Sequence, residues 1–489
     1  MAKPLMILGT SSHVGKSIIT AGICRILAEQ GYSVAPFKAQ NMSLNSWITR
    51  DGSEIGMAQA VQAHAAGIEP TADMNPVLLK PRGDKTSQVI VLGKIYADKT
   101  AGDYYDSIHT MTRIVKDAYT RLSQKHDFII IEGAGGAAEI NLYDRDIVNI
   151  GTARTIKPPI ILVGDIERGG VFASIHGTIQ LLPNDIKPLI KGTIINKFRG
   201  DLKLLQPGIE MLEKLTSIPV LGVLPYTKLS IPSEDSVSIK DKQAVKHNHN
   251  ITIAVIRLSH ISNFTDFEPL EEHAIINYIE PHEQLKSPDA IIIPGTKNTI
   301  DDLRELQKHK MDLRIKEHAK TGTPIIGICG GYQMLGKTIT DKSIESTTQT
   351  DVTINGLNLI NVHTTFEEYH KYTKQVTKTV TANGPILGGL KGTRVKGYEI
   401  HMGTTAGNEQ TAFTDDGCTS KNGLVIGTYL HGLFENVDIT NALLKYLHKQ
   451  KNQPYTPIKQ TQDPYTNLAK LLQNNLQMNK IYGLLEIGR

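Results

Sequence analysis

Cysteine, charge imbalance and long apolar runs are all scarce in this chain. Its three cysteines, Cys24, Cys329 and Cys418, stand far apart without a CxxC spacing. That pattern excludes a disulfide framework, argues against a structural zinc site and suits a reducing cytoplasm. Lys and Arg number 53 against 49 Asp and Glu, a net charge of +4 over 489 residues, too weak to argue for a nucleic-acid partner. No apolar run approaches the roughly 20 residues of a membrane span. The opening MAKPLMILG is too short in apolar residues for a signal-peptide core. The expectation is a soluble, cytoplasmic protein with no nucleic-acid or membrane partner. A 40% hydrophobic and 21% charged composition is ordinary for a globular chain, and the length allows two large domains or about three smaller ones.

Short continuous apolar runs recur at Leu5–Leu8, Ser33–Phe37, Phe128–Ile131, Pro159–Val163 and Gly192–Ile195, with helix-length segments between them. Continuous rather than alternating strands predict a parallel sheet covered on both faces, hence an α/β fold. A first domain is expected over residues 1–230. A polar stretch at 231–250 reads as a linker. A second strand–helix series spans 251–449, with strands at Ile251–Leu258, Ala290–Ile293, Pro324–Ile328 and Gly423–Tyr429. In the tail, 450–489, Leu468, Leu471, Leu472 and Leu476 fall at helical spacing.

The first strand runs into Gly9-Thr10-Ser11-Ser12-His13-Val14-Gly15-Lys16-Ser17 and then a helix. A glycine-bearing loop there turns backbone N–H groups and a helix N-terminus toward phosphates, with Lys16 on the outer phosphates and Ser17 on magnesium. Ser12, His13, Val14 and Gly15 complete the expected ATP cradle. Thr10 stands where the standard pattern has glycine, and Ser11 where the related lysine-bearing variant has lysine. Glu132, Lys38 and Asn196 each end a strand on the same sheet edge, where a carboxylate is well placed to hold magnesium. In the second half, Gly327-Ile328-Cys329-Gly330-Gly331-Tyr332 follows a buried strand. Small residues permit a tight turn that presents Cys329 at a helix N-terminus, where the dipole favours negative charge. His431, after a later strand, supplies a base, and the backbone N–H groups of Gly295 and Gly330 form an oxyanion hole.

The loop, Lys38 and Glu132-Gly133-Ala134-Gly135-Gly136 resemble the dethiobiotin-synthetase group of ATP-dependent ligases. That resemblance implies that Lys38 steadies the transferring phosphoryl group, that Glu54 and Glu132 are acidic magnesium ligands, and that Asn196 meets adenine. The Cys329/His431 pair resembles class I glutamine amidotransferases, which usually carry glutamate two residues after the histidine; Leu433 stands there instead. Along nearly the whole chain, ordered stretches resemble the cobyric acid synthase family. They include 37–46 (FKAQNMSLNS), 74–81 (MNPVLLKP), 165–172 (DIERGGVF), 196–201 (NKFRGD), 261–267 (ISNFTDF) and 398–403 (YEIHMG). The implied activity is amidation of four carboxylates, b, d, e and g, of adenosylcobyrinic acid a,c-diamide, with ATP, Mg2+ and glutamine. Cobalt would travel in the corrinoid substrate, not in a protein site. Gln40, Asn41, Arg82, Arg168 and Arg199 are the candidate corrinoid contacts. Two other readings stay open: a similar amidotransferase acting on cobyrinic acid or a cell-wall precursor, and a regulatory P-loop ATPase.

Overall fold

The computed structural model describes residues 1–81, 86–105, 107–227, 231–232, 249–345, 351–459 and 463–488. The expected linker at 231–250 and the candidate Arg82 lie almost wholly, and wholly, outside the described residues. The chain forms two compact units: Met1–Ser43, Ser53–Glu234 and Thr461–Arg489 make one, and Leu44–Gly52 with Asp235–Gln460 the other. Among the described residues no helix is long and apolar enough to cross a membrane.

The first unit is built on a six-stranded sheet, in the order Val220–Pro225, Ile190–Phe198, Ile160–Asp165, Lys3–Gly9, Phe128–Glu132, Val34–Phe37. Every pairing is parallel. The central strands are buried on both faces, as their unbroken Ile and Leu runs require. The strand Lys3–Gly9 turns into the helix Lys16–Glu29 through Gly15, whose φ of 99° is left-handed. A Cβ there would stand 2.2 Å from the Asn196 amide nitrogen, so only glycine fits.

The second unit carries a seven-stranded sheet, in the order Ile275–Ile279, Thr252–Ile256, Ala290–Ile293, Ile325–Ile328, Val425–Thr428, Asp416–Thr419, Gln410–Phe413. The first five strands are parallel and the last two join antiparallel. The core forms from Ile and Val of these strands with Leu303, Leu306, Met311 and Ile315 from the covering helices.

Two segments depart from the colinear division expected from the sequence. Residues Leu44–Gly52 leave the first unit and join the second. There Ile48 and Trp47 pack with Tyr398 and Ile400, and the Ile48 carbonyl accepts from Gln375 Nε2 at 2.9 Å. The tail does fold as a helix, Pro464–Asn475, but in the first unit rather than after the second. Leu468 and Leu472 bury against Gly22 of the helix Lys16–Glu29, where a Cβ would lie 2.5 Å from Leu472. Arg25 pairs with Asp463 at 2.7 Å. Both departures are driven by apolar burial between segments distant in sequence, which no local pattern signals.

The turn after Ile325–Ile328 is tight. Cys329 is held at φ 53° and ψ −111°, a costly backbone for a residue with a Cβ. A Cβ on Gly331 would stand 2.0 Å from the Ile293 carbonyl oxygen. Gly331→Ala is therefore expected to destabilise this unit by about 3 kcal/mol. Faster amide hydrogen exchange in Ala290–Ile293 and Ile325–Ile328 is the readout; native protection there would contradict the steric account.

Candidate active sites

In the first unit the loops at the carboxyl ends of the parallel strands converge on Glu132, which has no exposed surface. Burial of a carboxylate demands partners, and three donors supply them. Lys38 Nζ and Ser17 Oγ each reach Oε1 at 2.9 Å, and Gln62 Nε2 reaches Oε2. Lys16 crosses the loop, with Nζ donating to the carbonyls of Ser11 at 3.0 Å and Gly135 at 2.8 Å. Lys16, Ser17, Lys38 and Glu132, picked out separately along the sequence, thus form one cluster. Gln62 was not anticipated; nothing local marks a glutamine within a helix as part of a charged site.

Val14 packs under the loop, and Asn196 braces it, donating through Nδ2 to the Val14 carbonyl at 2.8 Å. Its Oδ1 accepts from the Lys197 N–H at 2.8 Å, which leaves a second amide N–H and a second lone pair for a further partner. Ser12 and His13 form the exposed rim, His13 at a left-handed φ of 60°. Asn149 holds the facing loop through its amide, bonded to Ala134 N–H and carbonyl at 3.0 and 2.8 Å.

Ser17 and Glu132 present hard oxygen donors 2.9 Å apart at the helix N-terminus, a donor set that suits magnesium. Glu54 is buried in an ion pair with Lys80 at 2.6 Å, and would join a metal only by loosening that pair. Asn41 donates to Gln59 Oε1 at 3.2 Å, and Gln40 accepts from Tyr104. Arg168 is exposed. Arg199 lies 3.5 Å over the Tyr226 ring and pairs with Glu167 at 3.2 Å.

In the second unit Cys329, 7% exposed, donates its thiol to the Ile400 carbonyl oxygen at 3.4 Å and acts electrostatically on His431. His431 Nδ1 is 2.7 Å from Asp266 Oδ2, and Asp266 Oδ1 accepts the Gly432 N–H at 2.8 Å. Burial alone would lower the His431 pKa; the Asp266 charge and hydrogen bond, with Cys329, instead raise it to about 10. Asp266 therefore fills the place left open by Leu433. Glu435, nearer in sequence, is itself pushed up to about 7 by burial and by Asp266. The only sequence mark of Asp266 was its position inside the 261–267 stretch.

Gly295 abuts His431, with 3.2 Å between its Cβ position and the imidazole Cε1. The Thr296 N–H faces Gly330 across 3.2 Å from the corresponding Cβ position. Tyr398 stacks on His431 with ring centroids 5.3 Å apart, and Trp47 packs on Tyr398 at 5.1 Å. Ser46 N–H donates to Asn263 at 3.0 Å. The segment Leu44–Gly52 thereby buttresses the histidine and, through Asn263, the helical turn Phe264–Phe267 that carries Asp266. A thiol against an imidazole whose far nitrogen is fixed by a carboxylate is an arrangement for nucleophilic acyl transfer.

The comparisons with known proteins agree with this two-site geometry. Residues 5–237 match the CobQ/CobB/MinD/ParA nucleotide binding domain, and 252–439 the CobB/CobQ-like glutamine amidotransferase domain. A probable cobyric acid synthase of Methanosarcina barkeri is 59% identical over 99% of this chain and 99% of its own. Those of Methanosarcina acetivorans and Methanosarcina mazei are each 59% identical over 98% of both chains.

Replacing Asp266 by Asn keeps the hydrogen bond but removes the charge. Glutamine hydrolysis is expected to fall roughly 10²- to 10⁴-fold. The His431 titration, followed by NMR of labelled histidine, should fall from about 10, because burial then meets less opposing charge. An unmoved titration with unchanged hydrolysis would remove Asp266 from the site.

Proposed function

This chain belongs to the cobyric acid synthase family, and we propose that it converts adenosylcobyrinic acid a,c-diamide to adenosylcobyric acid by four successive amidations. The b, d, e and g carboxylates would each consume one ATP and one glutamine and yield ADP, phosphate and glutamate. The observation that carries the reading is the presence, in one chain, of a phosphate loop closed on a buried carboxylate and a Cys329–His431–Asp266 set.

A carboxylate is a poor electrophile, so its oxygen first attacks the γ-phosphorus of ATP, ADP leaves, and an acyl phosphate results. Lys16 and the loop N–H groups hold the phosphates, and Lys38, 2.9 Å from Glu132, neutralises charge on the group in transfer. Magnesium, held by Ser17 and Glu132, would supply further charge neutralisation on the phosphates; Glu54 is the candidate additional ligand. Gln40, Asn41, Arg168 and Arg199 are proposed to meet the corrinoid, with Arg82 a further candidate outside the described residues.

At the second site Cys329 Sγ attacks the amide carbon of glutamine. The thiol proton rests on His431, whose pKa is raised to about 10, and His431 gives it to the departing nitrogen as ammonia leaves. N–H groups of Gly330 and the Gly295–Thr296 turn stabilise the oxyanion. Water then cleaves the γ-glutamyl thioester, releasing glutamate and restoring the thiol. Ammonia attacks the acyl phosphate carbon, phosphate departs, and the amide is complete.

Two variants separate the half-reactions. Cys329→Ala is expected to lose glutamine-dependent amidation and keep amidation driven by added ammonia. Lys16→Ala is expected to lose both. Loss of both in the cysteine variant would contradict two separate sites; full activity of the lysine variant would refute the phosphate loop. ATP turnover that needs neither acid nor nitrogen would favour a regulatory ATPase instead.

A further inference from the structure

The helix Met57–Ala65 carries two glutamines, Gln59 and Gln62, one turn apart on one face and both without exposed surface. Each has one amide end answered and one end not. Asn41 Oδ1 accepts the Met42 N–H at 2.9 Å, which settles which end of that amide is oxygen. Its Nδ2 therefore faces Gln59, donating to Oε1 at 3.2 Å, and Gln59 Nε2 is the end left over. Gln62 faces two acceptors, Glu132 Oε2 and the Ser17 carbonyl, the latter at 3.4 Å. Its nitrogen must lie on that side, so Oε1 is the end left over. Neither Gln59 Nε2 nor Gln62 Oε1 has a hydrogen-bond partner among the described residues, a costly arrangement for buried amide atoms. Both glutamines border the residues assigned to phosphoryl transfer. The other oxygen of Glu132 bonds Lys38 Nζ at 2.9 Å. The Lys38 carbonyl accepts from Asn75 Nδ2 at 3.1 Å, and Asn75 Oδ1 takes the Gly56 N–H at 3.0 Å. A Cβ on Gly56 would stand 2.5 Å from Asn41 Nδ2 and 2.9 Å from Gln59 Oε1, so Gln59 is packed against the backbone that Lys38 is tied to.

We propose that these two amides are the amination subsite of the first unit. Gln59 Nε2 donates to the carbonyl oxygen of the acyl phosphate, and Gln62 Oε1 accepts an N–H of the incoming ammonia. The proposal rests on the amidation reading and names the residues that its bond-forming step uses. A buried donor and a buried acceptor, each without a partner, match those two groups in number and sense. With one N–H held by Gln62, ammonia keeps its lone pair free for the acyl carbon. An amide oxygen is neutral, so it does not favour the ammonium ion, which has no lone pair, as a carboxylate would. As the C–N bond forms, the carbonyl electron pair moves onto oxygen, where Gln59 stabilises the charge. The pair returns as the C–O bond to phosphate breaks, and one ammonia proton leaves with the phosphate.

The test supplies adenosylcobyrinic acid a,c-diamide, Mg-ATP and ammonium chloride, so that glutamine hydrolysis is bypassed, and compares the native chain with Gln59→Met and Gln62→Met. Methionine fills nearly the volume of glutamine without its polar ends. The readout is ADP released per carboxamide formed, together with kcat and the KM for ammonia. In Gln62→Met the KM is expected to rise about tenfold. ADP per carboxamide should rise severalfold, because water takes acyl phosphate that ammonia fails to reach. In Gln59→Met kcat for amide formation should fall about 10²-fold, with the KM for ammonia little changed. If Gln62 acts only by holding Glu132, ADP and carboxamide fall together at the native ratio, and that result overturns the proposal. So does native kcat in Gln59→Met. A further measurement needs no variant to fold: a subsite closed around one small nitrogen should reject methylamine roughly ten- to hundredfold against ammonia. Equal use of methylamine by the native protein would overturn the subsite alone. A native protein that amidates no corrinoid acid with ammonia would overturn the amidation reading, and the subsite with it.

Discussion

Glu132 has no exposed surface, and a carboxylate cut off from water has to be satisfied by the protein that surrounds it. That constraint gathers Lys38, Ser17 and Gln62 onto two oxygens, where the proposed phosphoryl transfer would take place. Asp266, 2% exposed, imposes the same demand in the second unit and is answered by His431 and the Gly432 N–H. Each unit thus organises its chemistry around one buried acid at the edge of a parallel sheet. The groups around these acids are preorganised by folding, which is the condition for stabilising charge without reorganisation at the moment of reaction.

In the proposed reaction the chemistry divides between the two units because the two partners of an amide bond are unreactive for different reasons. The acid lacks a leaving group, which phosphorylation provides. Ammonia in neutral water is mostly protonated, and release from glutamine at a protein site supplies it as the free base. A phosphate loop and a thiol nucleophile need unlike surroundings: the first gathers cations and N–H donors, the second a buried imidazole with a charge beyond it. Separate sheets allow each environment to form undisturbed.

What the sequence disclosed was local. Continuous apolar runs marked most of the parallel strands, as at Ala290–Ile293, but not Val220–Pro225 or Ile275–Ile279. Gly15 and the glycines beside Cys329 marked the two turns where a Cβ cannot fit. Lys16, Ser17, Lys38 and Glu132 were legible because each ends or follows a strand of one sheet. What stayed hidden was non-local. Asp266 precedes Cys329 in the chain and reaches His431 only through the fold, while the position where a partner was sought holds Leu433. Leu44–Gly52 leaves one unit for the other because Trp47 and Ile48 find Tyr398 and Ile400, a match of distant apolar surfaces. The resemblance marked Glu54 as a metal ligand, and its ion pair with Lys80 is a contact that only the fold brings about.

The central claim is that one chain activates a carboxylate with ATP and amidates it with nitrogen taken from glutamine. The most direct measurement follows adenosylcobyrinic acid a,c-diamide by mass spectrometry during incubation with protein, Mg-ATP and glutamine labelled with ¹⁵N at the side-chain amide. The account predicts four stepwise conversions, every new carboxamide carrying the label. An unchanged corrinoid, with ATP and glutamine consumed only when another acid is offered, would contradict it.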